Sequence, residues 1–201
     1  MGTDFLARGS RMKSLVLVLV FLAWFAALAI ADFDAGMAAY ERGDYATALR
    51  ERKPLAEQGD AVAQAGLGFM YEKGKGVPQD YAEALRWYRL AAEQGHAIAQ
   101  VNLGTIYYQG WGVPQDYKEA VRWFRLAADQ GLALAQAKMG IRYEEGEGVP
   151  QNYVLAHMWY TLAAAQGDKG VSRLRDILTP MMTPAQIAEA QKLAREWKPK
   201  K

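Results

Sequence analysis

Cysteine is absent from the 201 residues, which excludes disulfide staples, thiolate zinc sites, iron–sulfur clusters and cysteine nucleophiles. Histidine is almost as scarce: His96 and His157 are the only two, too few for most metal or imidazole-based catalytic constellations. Of the three serines, Ser10 and Ser14 lie in or before an apolar N-terminal run, and Ser172 begins Ser172-Arg173-Leu174-Arg175, which is not the S-x-x-K of penicillin-recognising enzymes. Neither phosphate-cradling pattern, G-x-x-x-x-G-K-[ST] or strand–GxGxxG–helix, is present. Composition therefore argues against enzymatic chemistry, and no cofactor or metal is expected. What is there, 51% hydrophobic and 23% charged residues, is the make-up of a globular chain with a packed core.

The N-terminus reads as a targeting segment. Residues 14–31, SLVLVLVFLAWFAALAIA, carry no charge, follow Arg11 and Lys13, and close on Ala29-Ile30-Ala31, the A-x-A pattern of a secretory signal peptide cut after Ala31. Met12-Lys13 is a more ordinary start for such a leader than Met1. The run is near the lower limit for crossing ~30 Å of hydrocarbon, so an uncleaved anchor is the alternative. No cysteine follows the run, so a lipid cannot be attached there. The leader holds Arg8, Arg11 and Lys13 against Asp4, and the chain beyond it is close to neutral. A nucleic-acid partner, which needs a clustered excess of Lys and Arg, is not expected. The expected product is exported, and periplasmic in a Gram-negative cell.

Beyond the leader the chain repeats itself every 36 residues. The period is visible in Gly59, Gly95, Gly131 and Gly167, in Pro78, Pro114 and Pro150, in Trp87, Trp123 and Trp159, and in Tyr71, Tyr107 and Tyr143. A period in this range marks a solenoid of stacked supersecondary units. Each unit reads as two helices. Asp60 caps a helix from Ala61 to Glu72, whose Ala63, Leu67 and Tyr71 share one face, and Gly74-Lys75-Gly76 ends it. A second helix runs from Asp80 to near Gln94, with Asp80/Glu83 and Asp116/Glu119 spaced as capping boxes. Gly95, Gly131 and Gly167 then offer left-handed C-caps. Period-two alternation is missing outside the leader, so the fold class is all-α. Gly68, Gly104 and Gly140 each cost a helix ~1 kcal/mol relative to Ala, which points to a close packing contact at that position.

The pattern A-x-A-Q-x-x-L/M-G-x-x-Y followed by G-x-G-V-P-Q-D/N-Y, carried by Ala61 to Tyr81, Ala97 to Tyr117 and Ala133 to Tyr153, resembles the Sel1-like repeat, a relative of the tetratricopeptide repeat. The resemblance implies an α/α solenoid of helix-turn-helix repeats, a right-handed superhelix. Three full copies fit at 60–95, 96–131 and 132–167. Residues 32–59 read as an N-terminal capping hairpin with tetratricopeptide-like spacing, because Tyr40 and Tyr45 are closer than Tyr71 and Tyr81 and the Gly-x-Gly-Val-Pro loop is missing. Residues 168–201 read as C-terminal capping helices, Ser172 to Leu178 and Thr183 to Trp197, the second opening Thr183-Pro184-x-Gln186.

Within one chain, positions that differ between copies separate candidate recognition from scaffold. On the first helices, Asn102 and Lys138 stand where the first copy has Gly66, and Arg142 replaces Met70 and Ile106. Related repeat folds line a concave surface with these helices. Phe69 lies on the same stripe, beside Val62, Ile98, Leu134 and Ile141, which are equally readable as core. Trp111, in the Gly110-Trp111-Gly112 loop, is either an exposed anchor or folded back on neighbouring tyrosines. His96 takes an N-cap position, and His157, replacing Leu85 and Val121, packs with its polar edge satisfied.

The expected function is a non-enzymatic scaffold, adaptor or regulator of the cell envelope that grips a protein or peptide on the concave face. Cysteine-rich exported relatives are associated with penicillin binding and β-lactam hydrolysis, which makes a β-lactam-binding or hydrolysing enzyme the alternative. Those relatives use cysteine pairs that this chain lacks.

Overall fold

The computed structural model describes residues 35–200, so the leader, its cut after Ala31 and the choice between Met1 and Met12 lie outside the described residues. Within them every regular element is helical. A short helix, α1 (35–41), is followed by α2 (Tyr45–Glu57), α3 (Ala61–Lys73), α4 (Tyr81–Glu93), α5 (Ala97–Gln109), α6 (Tyr117–Asp129), α7 (Ala133–Glu145), α8 (Tyr153–Ala164), α9 (Lys169–Leu178) and α10 (Pro184–Glu196). From α2 to α9 each helix packs on the next in sequence, and α10 returns onto α8. The first helices of the hairpins are α3, α5, α7 and α9, and the second helices are α4, α6, α8 and α10.

The repeated signature explains each turn. Asp60 accepts from the Ala63 N–H, His96 through Nδ1 from Ala99, and Asp168 from Gly170 and Val171, each satisfying an amide that the helix leaves unpaired. The Asp168 cap starts α9 at Lys169, three residues before the expected Ser172. In the V-P-Q-D/N loop the glutamine reaches back: Gln79, Gln115 and Gln151 donate to the carbonyls of Glu72, Tyr108 and Glu144 at 2.8, 2.7 and 2.8 Å. Those carbonyls belong to the unpaired last turn of the first helix. Gly76 has φ +76°, and a Cβ there would lie 2.7 Å from the Tyr45 carbonyl oxygen, so the loop can pass the preceding hairpin only with glycine.

Two expected capping boxes are half formed. Asp80 and Asp116 do accept from the first-turn amides, but Glu83 and Glu119 turn outward to Arg86 and Arg122 at 2.9 and 2.8 Å. The return bond is redundant, because the Asp80 and Asp116 N–H groups already donate to the Tyr71 and Tyr107 carbonyls at 3.0 and 2.9 Å. Thr183 and Gln186, by contrast, form the full reciprocal box at the start of α10.

The core runs along the array as overlapping clusters. One joins Ala39, Ala48 and Leu55 to Leu67, Met70 and Trp87, the next joins Tyr88 and Ala91 to Leu103, Ile106 and Trp123, and the last runs from Phe124 through Met139 and Trp159 to Leu178 and Ala190. Burial of one such Leu, Ile or Met contributes about 1.5–3 kcal/mol. A buried glutamine ladder accompanies them: Gln64, Gln100 and Gln136 donate to the Ala56, Ala92 and Ala128 carbonyls and accept from Gln94, Gln130 and Gln166. Each rung ties the end of one second helix to the following hairpin, so the A-x-A-Q motif fixes the stacking as well as the helix.

The C-terminal tail folds back beyond its own hairpin. Trp197 meets Trp159 edge-on at 6.3 Å, and Lys200 reaches α6, its backbone N–H donating to the Asp129 carbonyl and its ammonium pairing with the Asp129 carboxylate, both at 2.7 Å.

Candidate interaction face

Glycine notches set the geometry of the first helices. A Cβ at Gly68 would lie 2.6 Å from the Tyr88 ring, and one at Gly104 would lie 2.7 Å from the Phe124 ring; Gly140 receives Tyr160 in the same way. This is the close contact that the recurring glycines imply. The ring thus passes through the first-helix layer, and its tip lies beside the next first helix. In the first repeat the Tyr88 hydroxyl donates to Glu72 Oε2 at 2.8 Å, and Asn102 of α5 bears on the same hydroxyl. In the third, Tyr160 donates to Glu144 at 2.5 Å. Burial pushes both phenols well above the ordinary tyrosine value, with the adjacent carboxylate adding to the shift. In the middle repeat the same two places hold Phe124 and Tyr108, and no acid.

Arg52 is the residue that motif reading missed. It lies one period before Tyr88 and fills the space that Gly66 leaves open, buried with 6% of its surface exposed. Its guanidinium lies 5.5 Å from the Tyr40 ring centroid, its Nη2 contacts Met37 Sδ at 3.2 Å, and desolvation holds its pKa below the usual arginine value. The period of 36 places Arg52, Tyr88, Phe124 and Tyr160 in one row, which was the available signal.

The expected site residues part company. Lys138 is half-buried on α7, with Nζ 5.2 Å from the Phe124 ring centroid; burial first, then Arg142, lowers its pKa. Asn102 is half-buried at the equivalent place on α5, and Phe69 is exposed on α3, edge-on to Tyr40 at 6.1 Å. Arg142, expected as a second contact cation, is instead 7% exposed. It pairs with Glu145 at 2.7 Å and with Glu147, and lies 4.2 Å from the Tyr108 ring centroid, so its donors are consumed internally. Trp111 is half-buried and stacked on Tyr81, with centroids 5.2 Å apart and planes at 29°, which resolves the open choice in favour of the folded-back side chain. A large ring beside a tyrosine buries more area against it than in water.

Val62, Ile98 and Leu134, equally readable as core, are exposed, Ile98 and Leu134 to 55%. They occupy one repeat position and lie one helical turn before Gly66, Asn102 and Lys138. Of the ten large apolar side chains exposed among the described residues, seven lie on this face: these three with Phe69, and Leu174, Ile177 and Met181 at the corresponding places of the last hairpin. The second helices expose Leu90 and Leu126, but that row stops at the half-buried Leu162. A cavity of about 350 Å³ lined by Gln151, Asn152, Tyr153, Val154 and Gln186 lies at the third loop, among residues already committed to capping. Both histidines are neutral-leaning: desolvation lowers His96 and His157, the latter 4% exposed with Nδ1 3.4 Å from the Thr161 hydroxyl.

Stacked two-helix units, sealed by a shared loop motif, define an α-solenoid. Models of the Sel1 repeat match residues 61–96, 97–132 and 133–168, more than half of the chain, which therefore belongs to the Sel1 repeat family. Solved relatives agree. A protective antigen present in uropathogenic Escherichia coli strains, displaying an SLR fold, is 44% identical over 71% of this chain and 32% of its own length, with a TM-score of 0.68. A Sel1 repeat protein from Oxalobacter formigenes is 38% identical over 72% of this chain and 60% of its own, with a TM-score of 0.69. The chain thus spans less than two thirds of either relative. No curated protein matches it. Sel1 repeat proteins are in general protein-interaction scaffolds, typically without enzymatic activity.

Proposed function

We propose that the protein is an exported interaction scaffold, periplasmic in a Gram-negative cell, that holds a protein or peptide segment along the inner curve formed by its first helices. The observation that carries this is the exposed row Val62, Ile98 and Leu134, with Leu174 and Ile177 exposed at the places of Lys138 and Phe69 in the last hairpin, in a chain whose other apolar side chains are mostly buried. Contiguous exposed apolar surface of this kind marks binding sites in soluble proteins, and an adaptable strip with polar neighbours suits a segment of another polypeptide. Export rests on the leader pattern at residues 14–31.

In-cell photocrosslinking tests the reading. A photoreactive residue at Ile98 is expected to give a discrete adduct, and the same probe at Leu126 on the second-helix side is expected to give none. Adducts from Leu126 alone would move the site to the other face. The mass of the exported protein tests the leader: loss of residues through Ala31 is expected, and retention would make the protein a membrane-tethered factor.

A further inference from the structure

The middle of the proposed face carries a cation with no acid paired to it among the described residues. The notches on either side contain a carboxylate, Glu72 at Tyr88 and Glu144 at Tyr160, whereas Phe124 fills the middle notch and Tyr108 stands at the place of the acid. Lys138 stands over that notch. On α3 and α7 the other cations have acids: Lys73 pairs with Glu72 at 2.6 Å and Arg142 with two glutamates. Lys138 has no carboxylate within 4.0 Å among the described residues, although it is half-buried and the like-charged Arg142 acts on it from the next turn. A cation so placed is attracted to any anion brought within reach, more strongly than a fully solvated lysine would be.

We infer that Lys138, on the first helix of the third repeat and over the middle notch, anchors an acidic side chain of the partner: the docked segment is apolar where it meets Ile98, Leu134 and Ile177 and presents an aspartate or glutamate to Lys138. The inference rests on the proposed docking face. An internal acidic residue fits better than a terminal carboxylate because the apolar row continues on both sides of Lys138, so the segment runs past it. Asn102, the equivalent residue one repeat earlier, supplies a neutral amide, which confines the acid preference to a single register of the partner.

The test uses a displayed library of random dodecapeptides selected on the purified chain and, in parallel, on Lys138→Met, Lys138→Glu and Lys138→Arg. Peptides selected on the unaltered chain are expected to contain an Asp or Glu flanked by apolar residues, to bind Lys138→Met about tenfold more weakly, and to keep their affinity for Lys138→Arg. Lys138→Glu is expected to select Lys or Arg in the same place. Selected peptides without acidic enrichment, or equal affinity for Lys138→Met, would overturn the anchor. An Ile98→Asp control separates the two levels: if it abolishes binding while Lys138 is indifferent, only the anchor fails. If Ile98→Asp also leaves binding unchanged, the docking face itself is wrong. Urea midpoints equal to that of the unaltered chain confirm that each variant is folded.

Discussion

The first and middle repeats solve one packing problem with different chemistry. In both, a ring from the second helix enters a notch made by glycine on the first, Tyr88 at Gly68 and Phe124 at Gly104. In the first repeat the ring ends in a hydroxyl that must be satisfied, and buried Glu72 accepts its bond. In the middle repeat Phe124 needs no partner, and Tyr108 stands where the acid was. The contact that holds the array is therefore the shape of ring and notch, while the polar pair is an exchangeable accessory. What differs between copies is free to take on another task, and in this chain the notch relieved of its internal acid is the one over which Lys138 of the third repeat stands.

The largest effect is expected at the shared part. Gly104→Ala puts a methyl group 2.7 Å from Phe124 and 3.0 Å from the Ala120 carbonyl oxygen, and neither the buried ring nor the backbone can yield freely. It should lower stability by about 1–3 kcal/mol, read as a fall in the urea midpoint. An unchanged midpoint would show that the notch is not what fixes the stacking.

A smaller effect separates the accessory. Tyr88→Phe removes the donor to Glu72 and is expected to cost about 1–2 kcal/mol, since the carboxylate keeps only Lys73. Adding Glu72→Tyr recreates the middle repeat's pair and should recover most of that loss. A double variant as unstable as the sum of the singles would mean that the two notches are not interchangeable.

The smallest effect concerns the third repeat, where His157 replaces Leu85 and Val121. Burial and then Arg175 depress its pKa below 6.5, so the unfolded chain binds the proton more readily. Stability is then full above about pH 6.5 and declines as pH falls toward the folded-state pKa. His96, depressed by burial, adds in the same sense. Urea melts at pH 7.5 and pH 5.5 should show less loss in His157→Leu than in the unaltered chain. An identical pH slope in the variant would place the dependence elsewhere.

The architecture was legible because a stacked unit must meet its neighbour the same way every time, which writes the contact into the sequence at Gly68, Trp87 and Pro78 and their counterparts. The face was less legible, since exposure depends on what lies across from a residue: Ile98 and Ile106 are both apolar on one helix, yet the first is exposed and the second buried. Arg142 reads as available and Trp111 as undecided for the reason that their partners, Glu147, Tyr108 and Tyr81, are set by loop geometry and by the adjacent unit. Arg52 escaped notice because it breaks the residue pattern while keeping the period.

The tail joined to Asp129 changes how the array comes apart. Stacked units usually fray from an end one at a time, each loss affecting only its neighbour. Here the final hairpin is also fastened past α8 to α6, so releasing it breaks contacts with the interior as well as with its neighbour. The chain resists peeling from this side like a ladder with one rung fastened two steps back.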